Sequence, residues 1–593
     1  MLLLVSLLWM IVAHGLRFPV GPDAPVYLWW MRAAGHDGLS VIGHRPGTPA
    51  LMLTVAGTLH LAPVAAIAGL EIALGVAVGL ASCAFARGCE GATRAAWVLA
   101  GSLAGLFAVH LVAGYLSNLI FAAGFLGACA SVGAGRRRGT VAAAMLLGAG
   151  GLAHPQFWVP GAAILVLVAA WALVVRGDGD EFTRLAWTVG GAGALVATGL
   201  LWMLVGPARL TVDTSRDGFL RREGLGDMVR SAYLDRFVHR WTRYVQWISL
   251  PLAAVGYLRA RGTGGRILRA WLAVIVAGVP VGLVTGLFPA DRLITFGYAV
   301  PILAGFGTVW LYGRISATRA GPGLALAGCA VLVVAMAAGS FIAWSRQDPF
   351  IDEVQAGQLE ILNRYVAATP SGTPIVVPVD TGDESVAFAA MTAANVVRAA
   401  MPPGRATDVF VVVPPPEGDE PGSERRLLSE VTNREANAAV AGANGHALTA
   451  ALGAFFPLDG PEAAGAPDRA APGVWLGGAP AEPAAEAVDP LEPSSSTAIV
   501  GASIAVLALL WVAGYGWARA ATDTSAAVAL APAFGLAALT LGAIVVERLG
   551  VALDGWIGPT VVSAVFGGGG YLCLLVLGPE RQVVAAPATE VED

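Results

Sequence analysis

Leu324–Trp344 reads LALAGCAVLVVAMAAGSFIAW, an unbroken stretch without a single formal charge. About twenty apolar residues carry a helix across the hydrocarbon of a bilayer, and a helix pairs its backbone groups internally where no water is available. Thr497–Trp517 (TAIVGASIAVLALLWVAGYGW) is a second such stretch. The rest of the 593-residue chain agrees: it is 56% hydrophobic and only 13% charged, with a mean hydropathy of +0.69. A soluble domain carries roughly 25% charged residues to cover its core. The fold class that follows is an α-helical polytopic membrane protein.

Working outward, apolar runs fall at 2–15, 63–86, 95–112, 115–133, 140–153, 157–175 and 185–205. Others lie at 246–258, 270–288, 295–313 and 324–344, with the last three at 497–518, 525–545 and 557–577. This predicts about 14 transmembrane helices. The first run has no lysine or arginine before it and no small-x-small site after it, so it reads as a retained span rather than a cleaved signal. Arg136, Arg137 and Arg138, then Arg259, Arg261, Arg266 and Arg269, then Arg314 and Arg319 fall on one face by alternate crossings. The excess of basic residues makes that face cytoplasmic. Both termini are then inside, and the tail 579–593 is cytoplasmic. The loops at 17–62, 206–245 and 289–294 and an insert at 345–496 are extracytoplasmic.

The insert alternates helical and strand-like stretches. Ile351–Ala368, Glu384–Ala400 and Ser423–Val440 have helical periodicity, while Pro374–Val379 (PIVVPV) and Asp408–Val413 (DVFVVV) read as buried strands. This predicts a small α/β domain with a parallel sheet over 346–456. The Ala-, Pro- and Gly-rich 457–496 reads as a mobile linker to a C-terminal three-helix segment, 497–578. Neither strand is followed by a glycine-rich phosphate loop, so nucleotide binding is not supported. No basic patch interleaved with aromatics points to nucleic acid, and the net charge is −5. Cys83, Cys89, Cys129, Cys329 and Cys573 lie in or beside apolar runs without CxxC pairing and read as small buried hydrophobes.

The stretch after the first span is the richest in chemistry: Arg17-Phe-Pro-Val-Gly-Pro-Asp23-Ala-Pro-Val-Tyr27-Leu-Trp29-Trp30-Met-Arg32. It sets one carboxylate just outside the membrane beside an aromatic belt. His44-Arg-Pro-Gly-Thr-Pro-Ala-Leu-Met-Leu follows, apolar but too short to span, and then a long span begins at Pro63. This order resembles the polytopic GT-C glycosyltransferases, which take sugars from polyprenyl-phosphate carriers; protein O-mannosyltransferases and aminoarabinose transferases share the layout. The resemblance covers about residues 1–345. It implies that Asp23 is the catalytic acid position, with Tyr27 on the next helical turn, and that an arginine near a late span holds the carrier phosphate.

Arg292, in Phe288-Pro-Ala-Asp291-Arg292, stands where that arginine would. A guanidinium stays charged and grips phosphate oxygens in a fork; the alternative is an Asp291–Arg292 pair that anchors the helix. His154 and Gln156, at the break between the fifth and sixth runs, are further candidates to line a cavity, a capped turn being the alternative. Asp37 (Gly-His-Asp-Gly) is a candidate second acid, or a metal ligand beside Asp23, against the reading of a simple turn. A divalent cation is the only cofactor these residues leave open. His14 and His110 read as core or interface histidines. The loop at 206–245 holds Arg209, Arg216, Arg221, Arg222, Arg230, Arg236, Arg240 and Arg243, and its second half fits a surface helix. Those arginines suit lipid or carrier phosphates, or else a solvated face.

The expected function is transfer of a sugar from a polyprenyl-phosphate donor to an extracytoplasmic acceptor (a cell-wall glycan, lipid or protein). Asp23 would act as general base, with membrane lipid as surroundings. Two rivals stand beside it. A transporter or flippase of lipid-linked intermediates calls for paired ionisable residues at mid-membrane, where Glu71 is a rare acid. A non-catalytic scaffold would bind a partner through the insert.

Overall fold

The computed structural model describes residues 2–112, 114–133, 137–205, 226–244, 247–286, 290–318, 321–379, 386–413, 424–452, 468–471, 473–480 and 482–578. Arg136, Arg209, Arg216, Arg221, Arg222, Arg319 and the tail 579–593 lie outside the described residues.

Every apolar run of the sequence carries a helix. In chain order these are α1 (Leu2–Ala13), α2 (Ala24–Asp37), α3 (Gly47–Leu59), α4 (Pro63–Arg87), α5 (Arg94–Val112), α6 (Leu116–Gly133) and α7 (Arg137–Ala153). Then come α8 (Pro155–Arg176), α9 (Gly179–Val205), α10 (Gly226–Tyr244), α11 (Ser249–Arg259), α12 (Gly262–Thr285), α13 (Ala290–Thr295), α14 (Ala299–Ser316) and α15 (Gly321–Ser345). Among the described residues eleven helical stretches are long and apolar enough to cross a membrane, Ala290–Ser316 counting as one. The first run and α3 are shorter apolar helices. The chain is a multi-pass membrane protein.

Contacts sort the connections between helices into two ends. At one end Arg87 pairs with Asp523 at 2.9 Å, Glu90 bridges Arg261, and Arg138 donates to the carbonyls of Leu577 and Gly578 at 3.1 Å. Glu181, almost fully buried there, pairs with Arg266 at 2.5 Å and Arg176 at 3.2 Å, tying α8 and α9 to α12. At the opposite end Val20 bridges Pro349, the Leu39 amide donates to Glu547 at 3.3 Å, and Gly114 touches Asp23. This partition is the one that alternate crossings require.

The insert sits at the Asp23 end. Its elements are α16 (Glu353–Ala368), β1 (Ile375–Pro378), α17 (Val386–Ala400), β2 (Val409–Val412), α18 (Glu424–Gly442), β3 (Leu448–Leu452), β4 (Asp468–Ala471) and β5 (Val474–Gly477). A reciprocal capping box of Asp352 and Gln355 starts α16. The sheet runs β2-β1-β3-β5-β4. Ile375 aligns with Val409 on one side and Leu448 on the other, both parallel; β3, β5 and β4 pair antiparallel, with Ala450 opposite Leu476. The parallel half answers the βαβ reading. The antiparallel half corrects the linker, because β4 and β5 lie inside 457–496. The return path is also packed: Ala484 exchanges hydrogen bonds with Arg364. Three helical stretches complete the chain: α19 (Ser496–Ala521), α20 (Thr524–Arg548), and α21 (Ile557–Val562) leading through a π turn into α22 (Gly568–Leu577).

Candidate active site

Asp23 stands at the N-cap position of α2, where aspartate ordinarily accepts a backbone N–H. Here the side chain makes no capping hydrogen bond (φ −90°, ψ −9°), and Pro25 in the first turn removes one donor that would otherwise seek a cap. The carboxylate is therefore not used to cap the start of this helix. The α5–α6 turn closes on it. Gly114 has φ +97°, and a Cβ there would stand 3.2 Å from the Asp23 nitrogen. Only glycine combines that left-handed conformation with so close an approach.

Three cations act on Asp23. Burial pushes its pKa above the ordinary carboxylate value, and Arg292, Arg240 and Arg45 pull it back in that order. They come from three separate elements: Arg292 from α13, Arg240 from the last turns of α10, and Arg45 from the turn before α3. Asp291 does not pair with its neighbour Arg292. Its fully buried carboxylate takes Arg240 at 3.0 Å, and Arg240 also lies over the Tyr115 ring at 5.9 Å. The expected alternative for Arg292, an Asp291–Arg292 anchor, is thus replaced by a pair across two helices.

His154 belongs to the same neighbourhood. It is fully buried, stacks on Phe157 at 4.2 Å, and caps α8 by accepting the Phe157 N–H on Nδ1 at 3.4 Å. Burial, then Arg45 and Arg292, hold its pKa well below the usual imidazole value. A neutral ring whose Nδ1 accepts must carry its proton on Nε2. Among the described residues that Nε2 has no hydrogen-bond partner. The capped-turn reading of His154 therefore holds on Nδ1, and Nε2 is the nitrogen that a role in the site would use. Gln156 is exposed and accepts from Arg45 at 3.5 Å, and Arg45 lies 5.8 Å over the Trp30 ring. Gly47 makes this meeting possible, since a Cβ on it would stand 2.8 Å from the Ala153 backbone nitrogen.

Tyr27 is buried rather than lining open space. Its hydroxyl accepts the Ser117 N–H at 3.3 Å, and Ser117 and Thr48 share a hydrogen bond at 2.9 Å, joining α2, α6 and α3. Burial first, and Asp23 second, push its pKa above the usual phenol value. Asp37 does not join the site. It ends α2, a 14-residue helix, about 20 Å along the axis from Asp23, and its exposed carboxylate meets His36 at 2.8 Å. With guanidiniums around Asp23 and Asp37 remote, the donor set does not suit the divalent cation that the sequence left open. No group of three His, Cys, Asp or Glu side chains gathers among the described residues. His14 is exposed on a turn, and His110 is buried against Ser340 at 3.4 Å.

The sequence reading missed Arg45 and did not separate Arg240 from seven other arginines. Arg45 had one visible signal, its place just before a short apolar helix that follows the Asp23 loop. Arg240 had none, because its role depends on where α10 lies over α13.

No protein-family model matches the chain, and no curated protein matches it in sequence. Solved structures do. The Archaeoglobus fulgidus oligosaccharyltransferase in its apo form matches with 13% identity and a TM-score of 0.44, over 68% of this chain and 64% of that one. ArnT from Cupriavidus metallidurans in the apo state matches with 14% identity and a TM-score of 0.41, over 75% and 91%. The ArnT structure bound to undecaprenyl phosphate matches with 15% identity and a TM-score of 0.35 over the same shares. This chain spans less than two thirds of the archaeal enzyme's length.

Proposed function

We propose that this protein transfers a sugar from a polyprenyl-phosphate donor to a hydroxyl acceptor, with the Asp23 end of the bundle facing outward. The observation that carries the reading is a buried carboxylate acted on by guanidiniums from three elements, Arg292, Arg240 and Arg45. Guanidiniums grip phosphate oxygens in a fork, so the site suits the phosphodiester that links polyprenol to a sugar. Its place supports the same donor, since α10 carries Arg240 inward while exposing Leu234 and Val238, the amphipathic pattern of a helix at a membrane surface.

The chemistry follows from the groups present. Asp23, its pKa raised by burial, accepts the proton of the acceptor hydroxyl while that oxygen bonds to the anomeric carbon. The bond from that carbon to the phosphate oxygen breaks, and its electron pair stays on the phosphate. Arg292 and Arg45 stabilise the developing charge with charge-assisted hydrogen bonds, and His154 can donate from Nε2. Asp291 holds Arg240 in place. The test is sugar transfer or release by the purified protein, presented with a panel of undecaprenyl-phosphate-linked pentoses and hexoses. Turnover of at least one donor is expected; inertness toward all of them, together with failure to bind undecaprenyl phosphate, sinks the reading.

A further inference from the structure

Arg32 lies nine residues after Asp23 on α2, about two and a half turns along the same helix. Only 9% of it is exposed. Its guanidinium leaves α2 and enters the insert, where it donates to the carbonyls of Ala399 and Asp489 and pairs with the Asp489 carboxylate at 3.1 Å. These acceptors come from two separate stretches, the end of α17 and the path returning to the membrane. Asn363, fully buried on α16, stitches the two together. Its Nδ2 donates to Ala400 at 2.6 Å and Val488 at 3.1 Å, and its Oδ1 accepts the Val488 N–H at 2.8 Å. Asp489 takes a left-handed backbone (φ 50°), a conformation uncommon outside glycine, and so offers both its carbonyl and its carboxylate to one guanidinium. The insert thus presents a socket with several acceptors, held from its own side.

The other flank of Asp23 is held by the same domain. Gly21 donates to Asp348 at 3.3 Å, Phe350 donates to Pro19 at 3.2 Å, and Ser494 donates to Arg17 at 2.9 Å. Phe18 packs edge-on to Phe350 at 5.9 Å. Beside Arg32, Arg398 lies over the Trp29 ring at 5.1 Å. The segment bearing Asp23 is therefore gripped before and after the carboxylate by one body.

We propose that Arg32 is a positioning residue: plugged into the socket of Ala399 and Asp489, it makes the insert set the position of Asp23 and of α2 behind it. The proposal rests on the reading of Asp23 as the base. The insert is then part of the frame of the catalytic centre, and not an appended module.

Arg32→Lys tests this in the full-length protein. It keeps the charge but loses the planar fork that serves several acceptors at once. Asp489→Asn is the milder partner, removing the ion pair and leaving the carbonyl. Two readings are taken: backbone hydrogen exchange over 19–31, and kcat and KM on the best undecaprenyl-phosphate sugar of the panel. Arg32→Lys should speed exchange over 19–31 and cut kcat by about 10- to 100-fold, the effect of a misplacement near 1 Å, with KM unchanged. Asp489→Asn should move both readings in the same direction and less far. Wild-type exchange and kcat in Arg32→Lys overturn the proposal, as does faster exchange with kcat intact. A raised KM with exchange unchanged also overturns it, because Arg32 would then act on substrate. If Asp23→Asn proves active, the base assignment fails, while the exchange arm still reads the joint by itself.

Discussion

Asp23 is a carboxylate with two opposing influences on its proton. Burial raises its pKa, and Arg292, Arg240 and Arg45 lower it. A base works only when deprotonated, so turnover should be present above the raised pKa and lost as pH falls through it. The acidic limb of a kcat/KM profile should consequently lie above the ordinary carboxylate range. Arg292→Ala removes the largest lowering influence and should move that limb to higher pH; a limb that stays put contradicts the pairing. The same variant loses charge-assisted hydrogen bonds to the carrier phosphate, about 1.5–3 kcal/mol, and should weaken undecaprenyl phosphate binding by about 10- to 150-fold on that scale. Arg240→Ala should behave differently. It strands Asp291, whose side chain is fully buried, and breaking a buried pair from one side costs about 3–5 kcal/mol. It should lower the thermal midpoint more than Arg292→Ala does, and adding Asp291→Asn should restore most of the loss. At this scale the sequence revealed candidates and not partners. Asp23, Arg292 and His154 stood out because each sits at an apolar boundary. That Asp291 belongs to Arg240, and that Asp37 lies a helix length from Asp23, are facts of three dimensions.

The elements around the site are short and are held by close backbone approaches. α2 ends at Gly38 with φ +84°, and α3 begins against the end of α7. Gly114→Ala forces a side chain into a left-handed conformation beside Asp23, a strain of about 1–3 kcal/mol. It should reduce kcat while leaving the far end of the bundle unaltered, which cross-linking of Arg87→Cys with Asp523→Cys can monitor. The long helices were legible because a run of about twenty apolar residues has few other solutions. The strands β4 and β5 were not. Their sequences, DRAA and VWLG, are four residues each, one of them poor in β-branched residues, and they lie in a segment whose Ala, Pro and Gly resemble a linker. The pairing of β5 with β3 and of β4 with β5 supplies the stability that local propensity does not.

At the scale of the whole molecule, alternate crossings and the contacts at each end give the same partition. Arg137, Arg138, Arg259, Arg261 and Arg266 share the end opposite Asp23, and from this asymmetry we propose that this end is cytoplasmic. Single cysteines at His36 and at Asn444 should therefore react with an impermeant maleimide on intact cells. A cysteine at Arg137 should react only after permeabilisation, and the reverse pattern would invert the orientation. The insert, read from sequence as a small α/β domain, grips both flanks of Asp23. The central claim remains that one carboxylate, surrounded by three arginines, performs the chemistry. The most direct measurement is turnover of Asp23→Asn beside wild type on the same undecaprenyl-phosphate sugar, with undecaprenyl phosphate binding measured on both. A loss of about 10²–10⁴ in kcat with binding retained is the expected result. Wild-type turnover in Asp23→Asn would contradict it.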